Sequence, residues 1–521
     1  MSDLDKQFDN VNTLLNQCTE KLSGDLFEEQ IEIYDLAFSR AELLAARVIR
    51  EKAKHNSYLE NISNYFCSRV IHSINGRLSQ NLESYGIDSN SLLNETALQP
   101  YLNSQSVRQL GRQFIEEGLP IEDFDQEKAL MRDTFSNFTD EIVKPLAEQI
   151  HRKNMLIPLE IIDPLRKMGV FGLSVPLSFG GLTPNDGDDS LGMVIATEEL
   201  SRGSLGAAGS LITRPEIVAR AILEGGTESQ KARWLPGIAK GDPLCAVSVT
   251  EPNTGSDVAA VSLKASKVDG GWVLNGGKTW CTFAGAAGLI LVLARTEEEH
   301  LGHRGLSLFI VEKDSHEGES FLLNQSAGGK LSGEAIPTIG YRGMHSFEMF
   351  FDDYFVPEDC LIGGEVGRGQ GFYYTMKGFS GGRLQTAARA CGLMRAAFEE
   401  AVRYTSDRKV FGRTVAEYPL SLAKIANMGA FIVVCKELTY EVAKMMNIGK
   451  GQTEASLVKL LSCRAAEGVT RDALQLFGGM GYAEESAVSR FFVDARVLSI
   501  FEGAEETLAI RVLGKSLLRD Q

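Results

Sequence analysis

The sequence predicts an α+β chain that is mostly α. Three observations carry this: long Pro-free helical patterning before residue 85, a change near Leu244 to short β-rich runs broken by turn residues, and a return to long helical stretches from Gly371. At 521 residues, 44% hydrophobic and 23% charged, the composition is that of an ordinary globular protein with about three structural units and ample core.

In the first segment, E-I-Y-D-L-A-F-S-R-A-E-L-L-A-A-R-V-I places Ile33, Leu36, Ala37, Leu44 and Val48 at helix-compatible spacing, with apolar residues wrapping well round the helix. A more polar stretch from Tyr85 to Ser106 reads as a linker. From about Ser106 to Gly241 helical patterning resumes, with acid-rich helix starts and a break at P-L-S-F-G-G-L-T-P-N-D-G-D-D. The runs C-A-V-S-V-T, S-L-K-A-S-K-V, W-V-L-N, L-I-L-V-L-A-R-T and L-S-L-F-I-V-E then read as strands, ending near V-P-E-D-C-L-I-G. These textures place an N-terminal helical extension at 1–105, a helical domain at 106–241, a β domain at 242–365 and C-terminal helices at 366–521.

A net charge of −16 and a pI near 5.1 leave no excess of cations for a nucleic-acid partner. The eight cysteines are scattered with no C-x-x-C pair, as expected of buried thiols in a reducing compartment. The acidic N-terminus lacks an apolar signal region, and apolar runs such as G-A-A-G-L-I-L-V-L-A are too short to span a bilayer, so a cytoplasmic protein without a membrane partner is expected. No histidine or cysteine spacing suits a metal, and no G-x-S-x-G elbow is present. G-G-K-T at 276–279 has Trp272 where a phosphate loop needs glycine, and G-R-G-Q-G at 367–371 lacks a βαβ context.

Two stretches suit a planar cofactor. S-V-T-E-P-N-T-G-S-D (248–257) is a strand running into a turn whose N–H groups, with the hydroxyls of Thr250 and Ser256, can hydrogen-bond a heteroaromatic ring and a pyrophosphate, or can be a plain surface loop. N-G-G-K-T-W-C-T (275–282) puts Trp280 and Thr282 on the same face of a strand, either as core or as cofactor contacts.

T-E-P-N-T-G-S-D, N-G-G-K-T-W-C-T, D-R-K-V-F-G-R and Q-L-F-G-G-M-G-Y, followed by F-E-G, resemble the acyl-CoA dehydrogenases in order and spacing over about residues 106 to 518. The resemblance implies a middle β-barrel-like domain, a C-terminal four-helix bundle, and FAD held by Val249, Thr250, Gly255, Ser256, Trp280 and Thr282. Arg408, Phe411, Gln475, Gly478 and Gly479 match positions that reach the FAD of a neighbouring subunit, implying a homodimer or homotetramer. Ala504 and Glu506 fall at further cofactor positions where threonine and glutamine are usual, and Pro419 replaces a glutamine that often touches adenine. The acyl-CoA thioester would lie against Ser256, Arg383 and the backbone at Glu502 and Gly503.

The implied reaction is α,β-dehydrogenation to the trans-2-enoyl-CoA. Glu502 would take the α-proton, FAD N5 would accept the β-hydride, and electrons would pass to electron-transfer flavoprotein. A carboxylate in an apolar pocket is a stronger base, and Ile500, Phe501 and Gly503 suit such a pocket. The alternative family position for the base, before Arg383, is Gly382 here. Glu505 and Glu506 read as helix-start charges. The N-terminal extension is similar to that of the (2S)-methylsuccinyl-CoA dehydrogenase branch, implying a short, branched or dicarboxylic substrate. An acyl-CoA oxidase using O2 and a DNA-associated flavoprotein relative are the competing readings, the second disfavoured by the acidic balance.

Overall fold

The computed structural model describes residues 3–297, 299 and 302–519. The chain forms two compact units, Met1–Leu130 with Thr386–Gln521, and Met131–Gln385.

The Met131–Gln385 unit carries helices followed by a sheet. The helix Glu228–Lys240 begins in a capping box, Thr227 with Gln230, and ends at Gly241 in the left-handed conformation. Gln230 also donates to the carbonyls of Asp359 (2.9 Å) and Leu361 (2.7 Å), tying this helix to the end of the sheet. Eight strands follow: β1 (Cys245–Ser248), β2 (Lys264–Val268), β3 (Gly271–Thr282), β4 (Leu289–Arg295), β5 (Leu306–Glu312), β6 (Ser320–Asn324), β7 (Lys330–Ile336) and β8 (Ser346–Pro357). They pair in the order β1-β4-β2-β3-β8-β7-β6, with β5 also on β4. Trp272, Phe309, Phe347 and Phe351 pack inside the sheet, and Val218, Ile222 and Trp234 of two helices join the same core.

The other unit joins the N-terminal extension to the C-terminal helices. The helix Gln30–Ala53 forms where expected, but its buried stripe is shifted: Leu43 and Ile49 are buried, whereas Leu44 and Val48 are only half-buried. Several helices of this unit pack against it, so the apolar band is wide and periodicity alone does not centre it. The stretch expected as a linker is packed. Tyr85 and Leu98 are buried, and the Asn75 amide brackets Leu93 by donating to its carbonyl (2.8 Å) and accepting from its N–H (3.0 Å).

The helix Pro419–Asn447 is long and apolar enough to cross a membrane, although no single run suggested it, because its apolar residues are interrupted by Lys424, Lys436 and Glu437. It is a core helix here, with two-thirds of its most apolar window (67%) buried. Glycines bring the helix Ser104–Glu117 against it: a Cβ on Gly111 would lie 2.2 Å from the Leu422 carbonyl, and one on Gly429 would lie 2.7 Å from the Phe114 ring. Lys436 pairs with Glu122, and burial pulls its ammonium down to about 8.

Candidate active site

In the Met131–Gln385 unit the strand β1 runs into the turn Glu251-Pro252-Asn253-Thr254. The backbones of Glu251 and Thr254 exchange two hydrogen bonds, 2.9 and 3.0 Å, across it. Proline at the first central position presets the turn. Beneath the turn lies a pair that the sequence motif did not reveal. Lys278 of β3, with no side-chain exposure, donates to Glu251 Oε1 and to the Val249 carbonyl, both at 2.9 Å. Glu251 also accepts from the Ser262 N–H (2.8 Å), the Ser262 hydroxyl (2.7 Å) and the Leu263 N–H (2.7 Å). Burial opposes its charge, but Lys278 and these donors outweigh burial and hold the carboxyl below its ordinary range. Val249 is thereby fixed and buried, Thr250 is half-buried with its carbonyl accepting from Thr279 N–H (2.9 Å), and Gly255 and Ser256 are exposed beyond the turn.

The same-face expectation for Trp280 and Thr282 fails. The β3–β8 register shifts between Lys278 and Cys281, and Trp280 has φ +58°, so the alternation of a regular strand does not hold across it. Thr282 is buried and shares a hydrogen bond with Ser346 (3.0 Å), while the Trp280 ring is 55% exposed. A large side chain in the left-handed region is costly, and such strain is found where function holds it.

On the helix Gly371–Asp407, Arg383 is half-buried one residue beyond Gly382. Gly381 has a steric reason. A Cβ there would lie 2.4 Å from Glu216 Oε1, and Glu216 is buried and held by Arg220 at 2.8 Å and by Gln385.

The other unit holds Glu502. It has φ +54° and is followed by Gly503 at φ +102°, so two consecutive left-handed residues turn the chain between the helix Ala487–Leu498 and the short turn Glu505–Thr507. Only the second is glycine, which puts the strain on the glutamate. Lys459, buried on the helix Gln452–Phe477, donates to the Gly503 carbonyl (2.6 Å) and secures this backbone.

The surroundings of the Glu502 carboxylate differ from the apolar pocket expected. Oε2 accepts from the Thr386 hydroxyl (2.7 Å) and Oε1 from Arg389 Nη2 (2.8 Å); Arg389 has no exposed side-chain surface and Glu502 only 9%. Arg389 also donates to Thr386 Oγ1 (2.6 Å) and lies 4.7 Å over the Phe501 ring. Phe501 therefore supports the cation rather than surrounding the acid, and Ile500 is 53% exposed. Arg389, Thr386 and Lys459 were missed by sequence reasoning. The available signal was a lone cation in an otherwise small or apolar run, T-A-A-R-A-C and L-V-K-L-L.

Glu505 is more than a helix-start charge. It is buried, accepts from Tyr34 and Arg464, and Arg464 stacks 4.8 Å over Phe38, so the N-terminal extension buttresses the segment that carries Glu502. Glu506 is exposed, and Ala504 occupies the cap position of the turn without a side-chain cap, where a threonine hydroxyl would serve.

Arg408 and Phe411 stand on an exposed two-residue hairpin, Phe411 at φ +49° and Gly412 at φ +82°, with the Phe411 ring 97% exposed. Tyr404, one turn before Arg408, stacks on Phe477 at 4.1 Å. That contact brings the Arg408 helix end to the end of the helix Gln452–Phe477, where Gln475 on the helix and Gly478 and Gly479 on the turn after it are all exposed.

Family models for the acyl-CoA dehydrogenase N-terminal, middle and C-terminal domains match residues 125–242, 246–354 and 369–518. The chain belongs to the acyl-CoA dehydrogenase family. This acyl-CoA dehydrogenase is 43% identical over 396 residues to the (2S)-methylsuccinyl-CoA dehydrogenase of Cereibacter sphaeroides, covering 76% of the chain and 70% of that enzyme. It is 34% identical over 394 residues to an acyl-CoA dehydrogenase of Bacillus subtilis (strain 168), covering 75% of the chain and 98% of that enzyme. The structure of butyryl-CoA dehydrogenase from Megasphaera elsdenii superposes with a TM-score of 0.69 at 29% identity, covering 77% of this chain and all of that one (100%). The family and branch resemblance, the helical–sheet–helical fold and an oxidoreductase activity are thus established for this chain.

Proposed function

We propose that this acyl-CoA dehydrogenase oxidises a short, branched or dicarboxylic acyl-CoA, with (2S)-methylsuccinyl-CoA as the specific substrate, and that Glu502 is the base. The observation that carries the base assignment is the strained left-handed Glu502, fixed by Gly503 and the Lys459 contact, with its carboxylate almost wholly buried. The substrate reading is supported by the 43% identity to a methylsuccinyl-CoA dehydrogenase.

The α C–H of a thioester is a weak acid, so the base must sit at the carbon while the thioester oxygen receives hydrogen bonds as charge develops. Glu502 would remove the α-proton and its backbone N–H would hold the oxygen, with Gly503 allowing close approach. Ser256 and Arg383 are the remaining substrate contacts in this reading.

FAD is its cofactor. The fit rests on the exposed Trp280 ring, held out by a strained bulge, and on the turn carrying Thr250, Gly255 and Ser256, which the Glu251–Lys278 pair keeps rigid; the Thr282 hydroxyl, bonded to Ser346, is the further contact in this reading. When bound, FAD would accept the β-hydride at N5. Arg408, Phe411, Gln475, Gly478 and Gly479 would reach the cofactor of a second copy, so the reading includes a homo-oligomer; the fully exposed, strained Phe411 supports it. Ala504 and Glu506 complete the cofactor positions. Electron-transfer flavoprotein would be the acceptor. A cytoplasmic site is supported by the eight cysteines, all buried free thiols.

The test is anaerobic reduction of the purified protein by methylsuccinyl-CoA, read as bleaching of the flavin band. Wild type should bleach, and Glu502→Gln should retain the flavin but lose bleaching by about 10³-fold or more. Normal bleaching by Glu502→Gln would remove Glu502 as the base. Rapid oxygen consumption with substrate would favour an oxidase instead.

A further inference from the structure

Glu502 stands in a loop whose shape its own sequence does not hold. The Glu505 N–H closes the loop onto the Ser499 carbonyl at 3.0 Å, and within that closure Glu502 and Gly503 are both left-handed. Only one of the two is glycine, so the loop keeps this shape where its surroundings over-determine it. The helix Gln452–Phe477 fastens it at three points. Glu467 accepts from the Ser499 hydroxyl (2.6 Å), Lys459 donates to the Gly503 carbonyl (2.6 Å), and Arg464 Nε donates to Glu505 Oε2 (3.1 Å).

The third of these is weak by itself. Glu505 is buried, but the Arg464 side chain is 52% exposed, and an arginine in water holds a carboxylate loosely. Tyr34 of the N-terminal extension strengthens it. Its hydroxyl donates to Glu505 Oε1 and accepts from Arg464 Nη2 (2.5 Å), which ties cation and acid to each other. Its ring packs against Phe38 with centroids 5.0 Å apart, and Arg464 lies over the same Phe38 ring. Among the described residues, no side chain other than Tyr34 and Arg464 donates to Glu505. Ala37 and Phe38 also share a core with Leu460, Leu508 and Leu513, so the extension grips the chain just beyond the loop as well.

We infer that Tyr34 is a positioning residue for the base: acting through Glu505, it fixes the loop that aims Glu502 and so couples the N-terminal extension to the rate of α-proton removal. A reacting group misplaced by about 1 Å loses on the order of 10²-fold in rate. The fastenings at Ser499 and Gly503 limit the displacement, so loss of the Tyr34 hydroxyl should cost about 10-fold.

The inference rests on Glu502 being the base, and the experiment separates the two. Anaerobic single-turnover bleaching of the flavin yields the limiting reduction rate and the substrate affinity separately. It is run with methylsuccinyl-CoA and, in parallel, with butyryl-CoA, so that the result does not hang on the substrate reading. Tyr34→Phe should lower the limiting rate about 10-fold while affinity and flavin content stay at wild-type values, and Arg464→Gln should do likewise. Tyr58→Phe is the control for a merely structural loss. Tyr58 is another half-buried tyrosine of the extension, but its hydroxyl donates to the Gly118 carbonyl, and its removal should leave the limiting rate unchanged.

A wild-type limiting rate in Tyr34→Phe, an equal fall in Tyr58→Phe, or a fall matched by weakened substrate binding would overturn the inference while leaving Glu502 as the base. Loss of the base assignment shows separately, as undiminished bleaching of Glu502→Gln.

Discussion

Removing the ammonium beneath the Glu251–Thr254 turn should destabilise the Met131–Gln385 unit strongly. In Lys278→Met the buried Glu251 keeps three donors, the Ser262 N–H, the Ser262 hydroxyl and the Leu263 N–H, but loses the ammonium bonded to it, and the Val249 carbonyl loses a hydrogen bond. Breaking one side of a buried pair costs about 3–5 kcal/mol because the remaining charge is uncompensated. In a cooperative unit of this size that is a fall in Tm of about 10 °C. Differential scanning calorimetry reads the fall, and the flavin content after purification should drop with it, since Val249 and Thr250 lose their anchor. The double variant Glu251→Gln/Lys278→Met should cost less than the sum of the two single changes, since the second change removes the stranded charge. A single-variant loss below about 1 kcal/mol, or strict additivity, would refute the view that this pair supports the turn.

Three further outcomes are expected. Gly381→Ala puts a methyl 2.4 Å from Glu216 Oε1 and should cost about 1–3 kcal/mol in a urea melt despite the better helix propensity of alanine. Tyr34→Phe removes the hydroxyl shared by Glu505 and Arg464 and should cost about 1 kcal/mol in the same melt, with a matching loss for Arg464→Gln if the three form one network. Asp140 is held at about 2, chiefly by its two-pronged bond from Arg202 and further by Lys144, against an ordinary 3.8. Its folded value is depressed, so its contribution is fully present above pH 3.8 and is lost as pH falls toward 2. The stability gap between wild type and Asp140→Asn should be flat near neutral pH and close across that interval.

The turn after β1 and the Glu502 segment were legible because their residue types are dictated locally. Proline presets the turn at Glu251–Thr254, and Gly503 must follow Glu502 because it stands at φ +102°. The buried ion pairs were not legible. Lys278 meets Glu251 across 27 residues, and Arg389 meets Glu502 across 113. Nothing in either sequence neighbourhood names the partner. The Trp280 bulge was hidden for the same reason: it depends on the register between β3 and β8, which the alternation of one strand does not encode.

By itself the sequence determined the order of helical and β segments, the family motifs, and the choice of Glu502 over Gly382 as the base to test. Tertiary structure alone decided that the extension packs under the Glu502 segment through Tyr34 and Phe38, and that the Glu502 carboxylate rests on a buried arginine rather than in an apolar pocket. The physical reason is that periodicity and turn chemistry act over a few residues, whereas the charge environment of a buried acid is set by whichever chain segments the core brings to it.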